Sequence, residues 1–299
     1  MARRRPRRSR NRSRVKNQGL KAALCGVIVL FGAAGSYALW SSLGTARADE
    51  FGCFGEPISH TVMWLDYSPP RWGKSQARDI DTVFKRTWYD DLRFNERFTL
   101  VTTEGDRISS LGKERLRLCG TARTPGELEA VGAAIPQNGA FLTQERERRF
   151  KSKVAPVIDE LLEETPPDAR VRVGHSPILE AMQSISRRRD FSEELGGRRL
   201  IVVSDLVQNT TDVAKFCAVQ GDLPSFAKFQ ARLAEKGLEP DSFDGAEVDL
   251  LLLLRYGLGG PDFPYCTERE LREFWTDYFT AYGAAKVRVH RLLPDVDPI

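Results

Sequence analysis

Histidine is scarce in the chain: His60, His175 and His290 are the only three in 299 residues, and each stands alone. Such scattering excludes a histidine-built zinc centre, and the cysteines show no zinc-ligand spacing to replace it. A Gly-rich phosphate loop followed by Lys-Ser/Thr is also absent, since GLGG at 257–260 lacks the lysine that would complete one. At 174–178 the stretch GHSPI places Ile178 where a nucleophile elbow requires glycine. Ser68, two positions after Asp66, stands where phosphoryl transfer to an aspartate would want a second acid. No enzymatic activity is therefore expected, and an envelope hydrolase is the weakest of the readings kept.

Charge is missing where it matters. Residues 1–21 hold ten Lys or Arg and no acid, so positions 22–299 carry 35 basic against 41 acidic side chains, and the body is mildly acidic. Residues 22–40, AALCGVIVLFGAAGSYALW, contain no charge at all. At ~1.5 Å per residue a helix of about 20 apolar residues crosses a hydrocarbon core, so this run is just long enough. Tyr37 and Trp40 lie toward its far end, where amphipathic rings favour the interface, and the preceding positive charges place the N-terminus inside. The expectation is a single-pass inner-membrane anchor at 22–42, a cytoplasmic basic tail at 1–21, a connector at 43–58 and a folded domain at 59–294 in the periplasm or outside. The alternative is secretion after cleavage near Ala48, because ARA at 46–48 has the small-x-small form of a signal-peptidase site. The Arg-rich tail fits anionic lipid headgroups better than nucleic acid, since no aromatic residue interrupts it and no folded reader module surrounds it.

Cys25 lies inside the apolar span. Cys53, Cys119, Cys217 and Cys266 form an even set in a compartment that tolerates oxidation, which allows two disulfides and leaves three pairings open.

From residue 60 onward, strand-like and helix-like patterns interleave. HTVMWLD (60–66), RFTLVTTEGD (97–106), RLRLC (115–119), RRLIVVSD (198–205), VDLLLLLR (248–255) and KVRVHRL (286–292) read as strands. Apolar residues at helical spacing follow over 74–92 and from Phe150 to Leu161, with a kink expected at Pro156; another helix is expected near 225–236. Thr267 and Glu270 form a capping box for the last helix. Continuous apolar strands between helices predict an α/β domain: a doubly wound, mostly parallel six-stranded sheet with helices on both faces.

Ligands of such sheets sit beyond the carboxyl ends of the strands. Three loops qualify: DYSPP after the first strand, VGHSPILEAM at 173–182, and VVSDLVQNT at 202–210. Together they offer Asp66, Ser68, Ser176 and Asp205, two carboxylates and two hydroxyls, the hard oxygen chemistry that Mg2+ favours. Ser176 before Pro177 also suits a helix start with no metal present, its hydroxyl capping free N–H groups.

The order Asp66-x-Ser68, then Ser176-Pro177-Ile178-x-x-Ala181-Met182, then Asp205 at the end of a later apolar strand resembles the von Willebrand factor type A domain, in its bacterial membrane-anchored kind. The resemblance spans roughly residues 58–292. It implies a metal-ion-dependent adhesion site in which Asp66, Ser68 and Ser176 hold a divalent cation, Asp205 supports it through water, and an acidic side chain of a protein partner fills the open position. Pro70 stands where the family has a second serine and Leu206 where a glycine is usual, so the implied site is degenerate. The runner-up expectation is a metal-free structural subunit of an envelope complex.

Overall fold

The computed structural model describes residues 46–67, 74–103, 112–136, 138–163, 176–192, 196–211, 213–218, 223–253 and 266–292. The basic tail, the apolar span, Ser68, Pro70 and His175 lie outside the described residues. No described helix is long and apolar enough to cross a membrane.

Six strands form one sheet: β1 (His60–Leu65), β2 (Arg97–Thr102), β3 (Lys113–Cys119), β4 (Arg198–Ser204), β5 (Glu247–Leu253) and β6 (Lys286–Leu292), in the spatial order β3-β2-β1-β4-β5-β6. All neighbours run parallel except β2 and β3, which are antiparallel with a register shift at Leu100/Val101. This is the doubly wound order, with its switch point between β1 and β4. The charged β3 and β6 fall on the two edges, where exposed side chains are tolerated and stray pairing is discouraged.

Why the central strands read as unbroken apolar runs is now plain: both of their faces are covered. Val62, Trp64, Leu200, Val202, Leu250 and Leu252 face one side and pack with the buried residues of helices at Ile178–Ser186, Phe226–Glu235 and Glu268–Ala281. Met63, Leu65, Ile201, Val203, Leu251 and Leu253 face the other and pack with residues of α1 (Lys74–Arg86) and a helix ending at Glu163. In chain order the remaining helices are α2 (Pro125–Ala130), α3 (Ala140–Arg149), α4 (Ala155–Glu163), α5 (Ile178–Ser186), α6 (Phe226–Glu235) and α7 (Glu268–Ala281). A π-helical segment at Phe150–Val154 joins α3 to α4 just before Pro156, so the expected irregularity appears as a widened turn. The capping box at Thr267 and Glu270 is formed, and a second one at Thr124 and Glu127 starts α2.

Two disulfides resolve the cysteine pairing: Cys53–Cys119 and Cys217–Cys266. The first ties the segment before β1 to β3. That segment is not a loose tether: the Asn95 side chain accepts from Phe54 N at 2.7 Å and donates to the carbonyls of Phe54 and Glu56, and Ala46 pairs with Ala133.

Candidate functional site

Asp66 follows β1 directly. Its N–H donates to the Val203 carbonyl at 2.8 Å, which extends the β1–β4 pairing by one residue and sets the side chain at the carboxyl-end rim. The carboxylate is 0% exposed. Its Oδ2 accepts two hydroxyl hydrogen bonds, from Ser176 Oγ at 3.1 Å and from Ser204 Oγ at 2.8 Å. Three chain segments thus meet at one oxygen, two of them more than 100 residues from the first strand.

The third loop is wound tightly beside them. Asp205 is 3% exposed and its Oδ1 accepts from Val207 N at 3.0 Å, while Leu206 takes a left-handed φ of 61° and donates its N–H to Ser204 Oγ at 3.0 Å. A non-glycine residue there is uncommon and costs strain of order 1 kcal/mol, so surrounding contacts must hold it. They do: Trp275 Nε1 of α7 donates to the Leu206 carbonyl at 2.8 Å, and the Cys217–Cys266 bond fixes the same loop to the residue before the Thr267 cap. Ser176 exchanges two backbone hydrogen bonds with Asn209, both 2.9 Å.

The structure therefore brings Asp66, Ser176 and the Asp205 loop together; Ser68 falls outside the described residues. Ser176 does not cap α5: its hydroxyl donates to Asp66, and Pro177 stands at the N-cap position. The fully buried Gln208 takes that role instead, accepting from Leu179 N at 2.9 Å and donating to Glu180 and Thr210. Ser204 and Gln208 are the two residues that sequence reasoning missed. The only signal for Ser204 was a hydroxyl ending the apolar run Leu200–Val203; Gln208 gave none.

Chemically, the cluster offers two carboxylates and two hydroxyls, an oxygen-only set suited to a hard divalent cation. Both hydroxyls donate to Asp66 Oδ2, so this buried oxygen is satisfied from within the protein. No group of three or more His, Cys, Asp or Glu suited to a metal occurs among the described residues, so a cation here would depend on hydroxyls and water for its remaining positions.

Two other polar clusters lie away from this rim. At the opposite ends of the strands a cavity of about 760 Å3 is bordered by Ser59, Gly197 and Gly245 and floored by Arg199, Asp249 and Arg288. Asp249 is buried; hydrogen bonds from Arg288 and Arg199 hold its carboxyl below the ordinary value, against the opposing effect of burial. Arg199 also meets Asp91 at 2.8 Å and Arg288 meets Glu247 at 2.6 Å, so these charges satisfy one another. His60, at the start of β1, donates Nδ1–H to the Asp190 carbonyl and accepts at Nε2 from Thr99 Oγ1 at 2.9 Å. Burial pushes the ring's pKa down to about 4, with Asp190 opposing.

No protein-family model matches the chain, and no curated protein matches it. Among solved structures it is similar to an aerotolerance-related membrane protein from Bacteroides fragilis, at 14% identity over 78% of this chain and 92% of that one, with a TM-score of 0.32. The SpRpn10 VWA domain is similar at 9% identity over 80% and 91%, TM-score 0.32. The pilus adhesin SpaC from Lactobacillus rhamnosus GG is similar at 10% over 82% and 29%, TM-score 0.39. The order β3-β2-β1-β4-β5-β6, the single antiparallel edge strand and three loops meeting at the ends of β1 and β4 give the described residues a von Willebrand A-like α/β fold.

Proposed function

We propose that the protein is a membrane-anchored, extracytoplasmic interaction domain that binds a protein partner or assembles an envelope complex through the rim built on Asp66, Ser176 and Asp205. The single observation that carries this reading is the convergence of two serine hydroxyls on the buried Asp66 carboxylate. A sheet end so elaborately fixed supports a binding surface, since sites on rigid elements hold their geometry best. The oxygen set supports a divalent cation such as Mg2+, held by Asp66 and Ser176 with Ser68, supported by Asp205, and completed by an acidic side chain of the partner. The apolar run at 22–40 supports anchoring.

A metal-free structural subunit is the second reading, favoured by the hydroxyl donors that already stabilise Asp66. Thermal melts of the full chain in detergent, with Mg2+ and with EDTA, separate the two. Cation binding predicts about 2.7 kcal/mol of added stability at 100 times the dissociation constant, lost in an Asp66→Ala, Asp205→Ala double variant. Identical melts under both conditions select the metal-free subunit.

A further inference from the structure

Only three large apolar side chains stand out as exposed among the described residues, and two of them belong to one short segment: Ile135, 49% exposed, and Phe141, 51% exposed. Around them the sequence is unusual for a protein that is 29% charged. No Asp, Glu, Lys or Arg occurs from Ala130 to Gln144, and Ala134 and Ala140 beside the two large residues are exposed as well. An uncharged stretch that exposes two large apolar side chains within seven residues suits an apolar or interfacial neighbour.

Its position in the fold says which one. Ala46 pairs with Ala133, its N–H donating to the Gly132 carbonyl at 2.9 Å, so the chain enters the domain alongside this segment. Only residues 41–45 separate Ala46 from Trp40, the aromatic end of the apolar span. Fully extended, that link reaches about 20 Å, and Ile135 lies within ~7 Å of chain from Ala133. The segment is thus held close to wherever the span leaves the hydrocarbon.

We infer that Ile135 and Phe141, with Ala134 and Ala140, form a lipid-contacting face that rests in the headgroup boundary of the bilayer carrying the anchor. Aromatic and aliphatic side chains in an uncharged stretch suit that boundary, where apolar groups partition without crossing. The inference rests on the anchored reading above. It adds an orientation: the α2–α3 end of the domain lies on the membrane, and α7, across the sheet, faces away from it.

The test uses the full chain with Cys25→Ala and Gln144→Cys, labelled at 144 with an environment-sensitive fluorophore and reconstituted into protein-free vesicles containing nitroxide-headgroup lipid. A matched chain carries the label at Arg269→Cys on α7, whose side chain is 83% exposed. The expected result is loss of emission at 144 and none at 269, with emission at 144 restored by the Ile135→Asp, Phe141→Asp double variant. Emission at 144 retained in a chain that resists alkaline washing overturns the lipid contact and leaves anchoring intact. Quenching that survives the double variant also overturns it, because tethering alone then brings 144 near. A chain washed off the vesicles overturns the anchored reading itself.

Discussion

His60 offers a direct check on how the sheet is built. Its ring is fully buried between β2, the Arg189–Phe191 turn and the start of β4, facing Thr99, Asp190, Arg188 and Arg97. Charging it there means burying a cation away from water, with Arg188 and Arg97 adding repulsion and Asp190 only partly offsetting it. The folded ring therefore titrates at about 4, against 6.5 for an unburied histidine. Because the folded pKa is the lower one, the unfolded chain binds a proton first as acid is added. The contribution of His60 is complete above pH 6.5 and is lost as pH falls toward 4, by about 1.4 kcal/mol per pH unit and about 3 kcal/mol in all. Chemical denaturation followed by tryptophan fluorescence across this window measures it. Asp190, whose carboxyl is held below its ordinary 3.8 by Arg188, loses its contribution only in stronger acid, so the two windows separate. In a His60→Asn variant, which keeps a donor for the Asp190 carbonyl, the slope between pH 6.5 and 5 is expected to vanish. An unchanged slope in that variant, or a flat profile in the parent, would refute the burial argument.

Three further outcomes follow from the rim and the staples. Ser204→Ala takes a donor from Asp66 and an acceptor from Leu206 N, and is expected to lower stability by about 1–3 kcal/mol in denaturant melts. Replacing Cys217 and Cys266 together by serine opens a loop of 49 residues, with an expected loss of about 2–4 kcal/mol; a melt matching the parent would show the bond to be dispensable. Asp249→Ala removes the carboxylate that Arg199 and Arg288 share, leaving them only Asp91 and Glu247 as partners. Both arginines are more than a quarter exposed, so the loss expected is about 2 kcal/mol, below the 3–5 typical of a fully buried pair, and equilibrium unfolding reads it directly.

Much of the sheet was legible because burial on both faces leaves short apolar runs bounded by charged or turn residues. β1, β4 and β5 announce themselves this way, and β6 matches its expected bounds of 286–292. The capping box at Thr267 was equally plain, since its two side chains act within one turn. What stayed hidden was either short or long-range. α2 buries only Leu128 and α3 only Leu142, too few for a helical period to emerge. Strand order is a property of distant partners, and four cysteines carry no mark of which pairs with which. At the rim, Asp66, Ser176 and Asp205 were visible as polar residues at strand or helix ends. Ser204 looked like the tail of an apolar strand, and Gln208 acts on a residue 29 positions away.

The two disulfides share a property that bears on how the molecule comes apart. Cys53–Cys119 closes within the half holding β1, β2 and β3, and Cys217–Cys266 within the half holding β4, β5 and β6. Neither crosses the junction between β1 and β4, whose strands are 138 residues apart in the chain. At a synthesis rate of about 5–20 residues per second, the first half waits roughly 10–30 s for its mate. Covalent reinforcement thus leaves a noncovalent seam down the middle of the sheet, fastened at one end by the Asp66 hydroxyl clasp, and mechanical pulling is expected to split the domain there before it unravels either half.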